Sequence, residues 1–247
     1  MSIESPADWT GLRRVGRVVR VTLDALERHL RPGITTAELD AIAKRLLQEH
    51  GARSAPALVY GFPGTVLISI NDEIVHGVPG SRRIELGDLV KLDVTVERNG
   101  YVADAARTVT VGPPSELAAR LIACAEAAFT AALAVARAGT QVNEIGRAVD
   151  REVRRRGFAV VKGLSGHGVG RTIHEAPSVP NEYHPWQRDL LTDGLVLTIE
   201  PMVSAGSGEP VEDADGWTIR TRDGSLSSHF EHTLVITKGD PILLTAA

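Results

Sequence analysis

The sequence predicts an α+β fold, a curved antiparallel sheet covered by two pairs of helices. One observation is an internal repeat, because a glycine, a glutamate and a second glycine recur at the same spacing, at Gly33, Glu38 and Gly51 and again at Gly139, Glu144 and Gly157. The other is the order of elements, since each half predicts two helices followed by antiparallel strands. Helices segregated from antiparallel strands are typical of α+β domains.

The repeat divides the chain into two halves, at about 8–112 and 113–240. A length of 247 residues suits one large domain or two small ones. No linker-like or low-complexity segment separates the halves. We therefore expect a single domain over 1–247, built of two pseudo-symmetric halves that share one core.

Helices are predicted at the start of each half. Leucine and valine recur at helical spacing over 8–30. Thr35 and Glu38 have the spacing of a capping box, which predicts a second helix that ends near Gly51. In the second half, helices are expected at 115–137 and 142–156.

Segments rich in β-formers follow the helices in both halves. Asn99-Gly100 is the usual centre of a two-residue hairpin turn, so the segments on either side are expected to pair as antiparallel strands. The predicted strands lie at 65–70, 88–96, 101–111, 158–162, 194–203, 217–221 and 228–237.

Composition and charge exclude several classes of protein. Hydrophobic residues make up 43% of the chain, enough for a sizeable core, and the net charge of −4 argues against a nucleic-acid-binding or anionic-membrane surface. The single cysteine, Cys124, excludes an intramolecular disulfide framework and suits a reducing compartment. The N-terminus lacks the features of a signal peptide, and no stretch approaches about 18 uninterrupted apolar residues. We expect a soluble cytoplasmic protein.

Four acidic residues occupy matching strand positions in the two halves. Asp93 and Glu200 each follow a glycine by six residues, and Asp104 and Glu231 each precede a glycine by eight. Because a two-fold repeat superposes its halves about an axis, we expect the four side chains to converge, with the members of each pair adjacent across a hairpin. Four carboxylates in one place cannot stay ionised without cations. The repeat therefore predicts a metal site.

Two histidines in a glycine-rich segment are candidates for the same site. Gly166 and Gly168 flank His167, which lets the backbone come close and frees the imidazole to point into a site. His174 follows seven residues later. A phosphate-binding loop is a poor alternative here, because no Lys-Ser/Thr pair follows the glycines and no parallel βαβ unit surrounds them.

The other histidines carry weaker signals. His76 lies between a strand and a Gly/Pro turn, where a structural role is commoner than a functional one. His229 and His232 flank Glu231 and are interpreted as surface residues or as neighbours of the ligands rather than ligands themselves.

A site of four carboxylates and one imidazole suits first-row divalent ions, namely Mn, Fe, Co, Zn or Ni. One ion does not need four carboxylates, whereas two ions about 3.5–4 Å apart do, with some carboxylates bridging. Such a pair lowers the pKa of a bridging water and polarises a carbonyl group, which is the chemistry of hydrolysis. We therefore expect two divalent metal ions per chain.

Taken together, the motifs resemble methionine aminopeptidase of type I over about residues 8–240. The resemblance lies at 69–79, at the pair Asp93 and Asp104, and at 166–175, 198–202 and 231–233. The gap between Glu200 and Glu231 lacks the long helical insertion of the type II members. The resemblance implies the pseudo-two-fold pita-bread fold of the creatinase and aminopeptidase class, in agreement with the internal repeat.

The resemblance also implies a function and a ligand set. It implies one catalytic domain that removes the N-terminal methionine from nascent proteins and peptides by dinuclear-metal-activated water attack. It assigns Asp93 to the first metal, and His167 and Glu200 to the second. Asp104 and Glu231 would bridge both metals.

Three side chains have catalytic roles by the same resemblance. Glu200 would act as the general base and then as the general acid. His174 would stabilise the developing oxyanion, and His76 would contact the nitrogen of the scissile amide.

A methionine pocket is implied as well. Phe62 and Trp217 resemble the pocket aromatics of the family. Three further pocket positions differ from the family. The family often has tyrosine at the position of Val59 and usually has cysteine or threonine at that of Leu67. At the position of Ile173 it commonly has phenylalanine. These residues keep the pocket apolar but alter its shape, and an apolar pocket discriminates one methylene by only about 1–3 kcal/mol. They therefore bear on the preference for methionine over leucine.

Two other functions fit parts of the sequence. A non-catalytic binding module of this fold should have lost ligands, yet all five ligand positions are present. A hydrolase of X-Pro bonds usually carries a separate N-terminal domain, for which we expect no room here, and Met202 after Glu200-Pro201 also argues against it.

The expected partners follow from the preferred function. They are the N-terminal methionine of nascent peptides and the exit region of the ribosome. We expect a monomer with no nucleic-acid specificity and no membrane attachment.

Overall fold

The structure is a computed structural model that describes residues 1–246. Its first half begins with two long helices and ends in a hairpin of two ten-residue strands. The elements of this half are α1 (Pro6–His29), α2 (Thr36–Glu49), β1 (Arg53–Ser54), α3 (Ala55–Tyr60), β2 (Leu67–Ile70), β3 (Glu73–Val75), β4 (Leu89–Arg98) and β5 (Tyr101–Thr110).

The second half repeats the order of two helices followed by strands, with shorter strands. Its elements are α4 (Glu116–Val135), α5 (Asn143–Arg155), β6 (Ala159–Val160), β7 (Ser165–Gly168), β8 (Glu175–Pro180), β9 (Val196–Ile199), β10 (Met202–Ser204), β11 (Pro210–Glu212), β12 (Ile219–Thr221), β13 (Ser227–His229), β14 (His232–Val235) and β15 (Ile242–Leu243).

The strands pair antiparallel in four small sheets. In the first half, β4 is central, with β1 and β2 along one edge and β5 along the other. In the second half, five strands follow the order β15-β14-β9-β7-β8. The remaining two sheets are β13-β10-β6 and β11-β12-β3, and the latter joins strands from both halves.

Local sequence signals account for the ends of the helices. The Ser5 hydroxyl accepts a hydrogen bond from Asp8 N at 3.2 Å, and Pro6 occupies the first turn, so α1 begins two residues before the predicted start. Thr35 and Glu38 form the predicted capping box of α2. Asn99 and Gly100 both have positive φ and close the predicted hairpin between β4 and β5.

Each half has its own group of buried apolar side chains between its helices and its sheet. In the first half Val15, Leu39 and Leu92 are among them, and in the second Leu121 and Val149. Helix α4 is long and apolar enough to cross a membrane by length and composition alone. Its buried residues belong to the second core, however, as is usual for the central helix of a globular domain.

The α+β prediction is confirmed, and several elements were not predicted. Helix α3 has only six residues and no helical periodicity to detect, although Ser54 caps it through a hydrogen bond from Ala57 N. Strands β1, β3, β7, β8, β11 and β15 also escaped prediction, since their short sequences lack an alternating pattern, and β7, β8 and β11 also contain glycine or proline. The predicted strand at 194–203 is two strands in different sheets, β9 and β10.

Candidate metal centre

The four predicted carboxylates come from two pairs of adjacent strands. The register of β4 and β5 pairs Thr95 with Asp104, so Asp93 and Asp104 are diagonal neighbours on one face of the sheet. Glu200 directly follows β9 and Glu231 directly precedes β14. Because the last pair of these strands joins Ile199 to His232, Glu200 and Glu231 lie one residue beyond it and face each other.

Hydrogen bonds across the junction of the two halves bring the pairs together. Glu231 N donates to Ala106 O at 2.9 Å, and Ala106 N donates to Glu231 O at 3.3 Å. Thr233 Oγ1 accepts from Asp104 N at 2.8 Å and donates to Asp104 O at 2.7 Å. The structure therefore places the four carboxylates in one cluster at the junction of the two halves, where the repeat predicts them.

The cluster is electrostatically costly without cations. Burial raises the pKa of Asp104 to about 6 and that of Glu200 to about 8. Burial, and then the charges of the neighbouring carboxylates, raise the pKa of Asp93 and Glu231 well above the usual range. Each shift records the free energy of holding a charge away from water, to which the neighbouring carboxylates add at Asp93, Glu200 and Glu231.

Unpaired oxygen atoms show that the cluster fits metal ions. Within residues 1–246, Asp93 Oδ1, Asp104 Oδ1 and Glu231 Oε1 are buried and have no hydrogen-bond partner. Unpaired buried acceptors are rare in folded proteins, and a bound ion is one of the few explanations. Divalent cations accept such oxygens as ligands and remove the repulsion at the same time.

His167 presents one ring nitrogen to this cluster. Its Nδ1 lies 2.9 Å from Gly168 O and donates to it, which leaves Nε2 without a proton, 3.5 Å from Glu200 Oε2. The flanking glycines permit close packing, because a Cβ at Gly166 would meet Thr198 O at 2.6 Å and a Cβ at Gly168 would meet Ala176 O at 2.2 Å. Burial lowers the pKa of His167 to about 4, so the ring is neutral near pH 7.

Threonines that sequence reasoning missed hold the acidic side chains and their strands. Thr198 Oγ1 donates to Glu200 Oε2 at 2.6 Å and accepts from His167 N at 3.1 Å. Thr233 bonds both backbone groups of Asp104, as described above. A signal was available, because Thr198 and Thr233 each lie two residues from an acidic residue and so share its face of an extended strand.

An apolar cavity of about 470 Å³ opens beside the carboxylates. The predicted pocket residues Phe62, Leu67, Ile173 and Trp217 line it. The rings of Phe62 and Trp217 meet edge to face with centroids 5.2 Å apart. His76 and His174 line the same cavity, so apolar surface and titratable groups adjoin within one space.

Val59 does not belong to this pocket, which corrects the sequence prediction. Its side chain is 55% exposed on α3, outside the residues that line the cavity. The next residue, Tyr60, lines the cavity instead, and its hydroxyl lies 2.5 Å from His174 Nδ1. A shift of one position on a helix turns the side chain by about 100°, so the neighbour of the expected residue occupies the site.

His76 and His174 are held in defined positions within the cavity. His76 has a φ of 61°, a conformation that a residue with a side chain seldom adopts. The His174 ring packs against that of His167 with centroids 4.3 Å apart. Burial lowers the pKa of both His76 and His174.

The histidines beside Glu231 lie in two different strands, because the predicted strand at 228–237 is β13 and β14, which belong to different sheets. His229 is 2% exposed and lines the cavity, so the interpretation as a surface residue is wrong for it. Burial, followed by the nearby charges of His76 and Lys91, lowers the pKa of His229 to about 3. His232 points away, with its Nδ1 2.8 Å from Thr245 Oγ1. Spacing could have shown this, since residues two apart in an extended segment share a face and adjacent residues do not.

Known proteins share this sequence and architecture. A Bacillus subtilis protein named methionine aminopeptidase 2 is 43% identical over 247 residues, which cover 99% of each chain. A crystal structure of methionine aminopeptidase from Rickettsia prowazekii matches with a TM-score of 0.94 at 34% identity, covering 99% of this chain and 100% of that one.

A more distant structure shares the fold alone. The prolidase from Pyrococcus furiosus matches with a TM-score of 0.81 at 23% identity, and the match covers 99% of this chain but only 65% of the prolidase. The family model for metallopeptidase family M24 matches residues 10–238, nearly the whole chain. With this match and the close relatives above, the family prediction is confirmed, and the chain belongs to metallopeptidase family M24.

Proposed function

We propose that the chain is a metal-dependent aminopeptidase that removes the N-terminal methionine from nascent proteins and peptides. One observation carries the proposal. An apolar cavity large enough for an amino-acid side chain opens directly beside a buried cluster of carboxylates and imidazole. The names of the relatives in Bacillus subtilis and Rickettsia prowazekii support the same activity.

The metal ligands in this proposal are five side chains from both halves. They are Asp93, Asp104, His167, Glu200 and Glu231, which would hold two divalent ions with Asp104 and Glu231 shared. This mixture of oxygen and nitrogen donors suits Co, Mn, Fe, Zn or Ni. When bound, the ions would make a water molecule acidic enough to attack and would polarise the substrate carbonyl.

The proton transfers are assigned to Glu200. Its carboxylate borders the cavity, and Thr198 Oγ1 fixes one of its oxygens at 2.6 Å. Glu200 takes the proton from the attacking water and delivers it to the departing amine. The hydrogen bond from Thr198 keeps the carboxylate in one orientation through both transfers.

His174 is the proposed donor to the substrate carbonyl oxygen. Burial raises the pKa of Tyr60, so the phenol stays protonated, and we assign it as the donor to His174 Nδ1. That bond assigns the proton of the neutral imidazole to Nε2. The Nε2–H group is then available to stabilise negative charge that develops on the carbonyl oxygen. His76 contacts the amide nitrogen on the other side of the scissile bond.

Specificity for methionine is assigned to the apolar wall. Phe62 and Trp217 form an edge-to-face pair, and Leu67 and Ile173 complete a surface that an unbranched thioether side chain can fill. The free α-amine of the substrate binds next to the metal cluster, and for this reason only the first residue is removed.

A peptide-cleavage assay tests the proposal. Protein stripped of metal and reloaded with Co, Mn or Fe receives Met-Ala-Ser, Leu-Ala-Ser and N-acetyl-Met-Ala-Ser. We expect metal-dependent release of methionine from the first peptide alone. Equal release from the acetylated peptide would contradict binding of a free amine, and no release with any metal would overturn the proposal. Comparable release of leucine would mean that Leu67 and Ile173 broaden the pocket.

We also infer that the protein acts as a monomer in the cytoplasm, on chains that leave the ribosome. The net charge of −4 disfavours electrostatic attraction to ribosomal RNA, so the contact with the ribosome should not depend on it. Light scattering after gel filtration measures the oligomeric state, and co-sedimentation with translating ribosomes measures the association. A stable dimer, or no co-sedimentation, would contradict the respective inference.

A further inference from the structure

His229 is buried, and it has no role in the proposed reaction. It is 2% exposed, and among the residues that the structure describes neither Nδ1 nor Nε2 has a hydrogen-bond partner. A buried imidazole that forms no hydrogen bond loses its contacts with water without replacement. Such a group calls for a partner other than the protein itself.

The backbone of His229 is held firmly, so its ring has a defined direction. His229 N donates to Thr108 Oγ1 at 2.8 Å, and Thr108 Oγ1 donates to His229 O at 2.8 Å. The residue also pairs with Met202 in the sheet of β10 and β13. With both backbone groups bonded, the ring points into the cavity that Asp93 and Glu231 also line.

The separation between the ring and Glu231 suits a shared cation better than a hydrogen bond. His229 Nε2 lies 3.8 Å from Glu231 Oε2, which is too long for a hydrogen bond. Two ligand atoms that are each about 2.1 Å from one ion lie between about 3 Å and about 4.2 Å apart, depending on the coordination angle.

Two groups of possible ligand atoms share Glu231. In one group, atoms of Asp93, His229 and Glu231 all lie within 4.8 Å of one another. In the other group, atoms of Asp104, His167 and Glu231 meet the same criterion. Each group thus contains one imidazole, and the carboxylate of Glu231 lies between them.

We propose that His229 is a sixth metal ligand, which binds the first ion together with Asp93 and Glu231. This inference rests on the metal centre of the proposed function and adds a ligand to it. With an imidazole on each ion, the two sites become chemically similar. A nitrogen donor in the first site moves the metal preference of that site away from Mg and towards Co, Ni or Zn.

Nuclear magnetic resonance of the unaltered protein tests the proposal without any substitution. The protein is labelled with ¹⁵N-histidine and loaded with Zn²⁺, and the ring nitrogens are followed before and after loading. We expect one nitrogen each of His167 and His229 to move to the shift of a metal-bound imidazole, while His232 stays unchanged. A change at His167 alone would overturn the assignment of His229 and leave the proposed function intact.

Calorimetry of matched variants gives a second test. Metal-free wild type, His229→Gln and His232→Gln are titrated with Co²⁺, where His232→Gln removes the other histidine beside Glu231. Loss of an outer-shell partner costs about 10 to 100-fold in affinity, so we expect His229→Gln to lose more than about 100-fold at one of two sites. His232→Gln should bind as the wild type does.

The results separate this inference from the function on which it rests. Two sites of wild-type affinity in His229→Gln would overturn the ligand role of His229 alone. Absence of any Co²⁺ binding in the wild type would overturn the metal centre, and the ligand role of His229 with it.

Discussion

Single hydrogen bonds set the chemical state of the site histidines. His167 donates from Nδ1 to Gly168 O, whereas we assign His174 Nδ1 as the acceptor from the Tyr60 hydroxyl, which lies 2.5 Å away. The two rings therefore present opposite functions at Nε2, a lone pair in His167 and a proton in His174. A metal ligand and a hydrogen-bond donor can thus lie with ring centroids only 4.3 Å apart.

Tyr60→Phe tests the role of this hydrogen bond. Without the phenol, the proton of His174 is free to occupy either nitrogen, and the share of the productive form falls. One net hydrogen bond is worth about 1 kcal/mol, so kcat should fall about fivefold while KM stays nearly unchanged. Steady-state kinetics with Met-Ala-Ser measures both constants.

Val59→Ala is the matched control, since Val59 is the adjacent residue and lies outside the cavity. It should leave kcat and KM at wild-type values. A loss in Val59→Ala equal to that in Tyr60→Phe would indicate that α3 as a whole, rather than the hydroxyl, supports the activity.

Glu200→Gln tests the proton shuttle with little change in volume. The amide cannot act as a general base, and general acid–base catalysis contributes about 10² to 10⁴-fold, so turnover should fall by at least about 100-fold. Circular dichroism should show an unchanged fold. Near-normal kcat in a folded Glu200→Gln protein would refute the role assigned to Glu200, whereas the exposed Glu212→Gln should be fully active.

At the scale of elements, strand β7 places His167 by passing close to its neighbours. A Cβ at Gly168 would lie 2.2 Å from Ala176 O, which is backbone and cannot move aside cheaply. Gly168→Ala should therefore destabilise the protein by about 1–3 kcal/mol and weaken metal binding by displacing His167. Urea denaturation and Co²⁺ titration measure the two effects.

Gly80→Ala serves as the control for that substitution. A Cβ at Gly80 would meet no atom within 4 Å, and the residue does not have a positive φ. Its free energy of unfolding should equal that of the wild type. If Gly168→Ala also left the free energy of unfolding unchanged, β7 would be able to shift further than its close contacts indicate.

The sequence predicts elements where period or capping is explicit and misses those that only packing defines. The helices α1 and α2 carry long apolar stripes and caps, and β4 and β5 flank an Asn-Gly turn, so their positions could be predicted. The six-residue α3 has no such pattern, so neither this helix nor the position of Tyr60 in the cavity could be predicted. The position of His229 on the same side as Glu231 could be predicted from their spacing, whereas the pairing of its strand β13 with β10 could not.

For the whole molecule, the repeat was the most informative signal. Two halves that each bring one acidic pair to their junction must create a cluster, and this follows before any distance is known. What could not be predicted is how the junction is made. The bonds of Thr233 to Asp104 and of Glu231 to Ala106 depend on the register between halves, which no local pattern encodes.

Because ligands come from both halves, metal loading should stabilise the entire chain. A ligand that binds only the folded state adds about 2.7 kcal/mol at a free concentration of about 100 times its Kd. For a chain of this length, that increment raises Tm by about 5–10 °C. Calorimetry of the chelator-treated and reloaded protein measures the difference, and equal Tm values would contradict a metal centre between the halves.

The gain in Tm on metal loading should depend on pH, and the titration of the carboxylates determines whether it rises or falls with pH. Burial raises the pKa of Asp104 from 3.8 to about 6 and that of Glu200 from 4.5 to about 8. Below the unfolded values, these groups carry protons in both states and contribute their full share to stability. As the pH rises through the folded values, that share is lost from the metal-free protein.

In the loaded protein the same carboxylates are ionised ligands, so protons compete with metal at low pH. The gain in Tm on loading should therefore widen as the pH rises from about 6 to about 8. Lys91, whose pKa burial lowers to about 7, titrates in the same range but is not a ligand, so its effect is common to both forms and cancels in the difference. Calorimetric scans of both forms across this range measure the trend. A gain that shrinks as the pH rises would show that these carboxylates do not bind the metal.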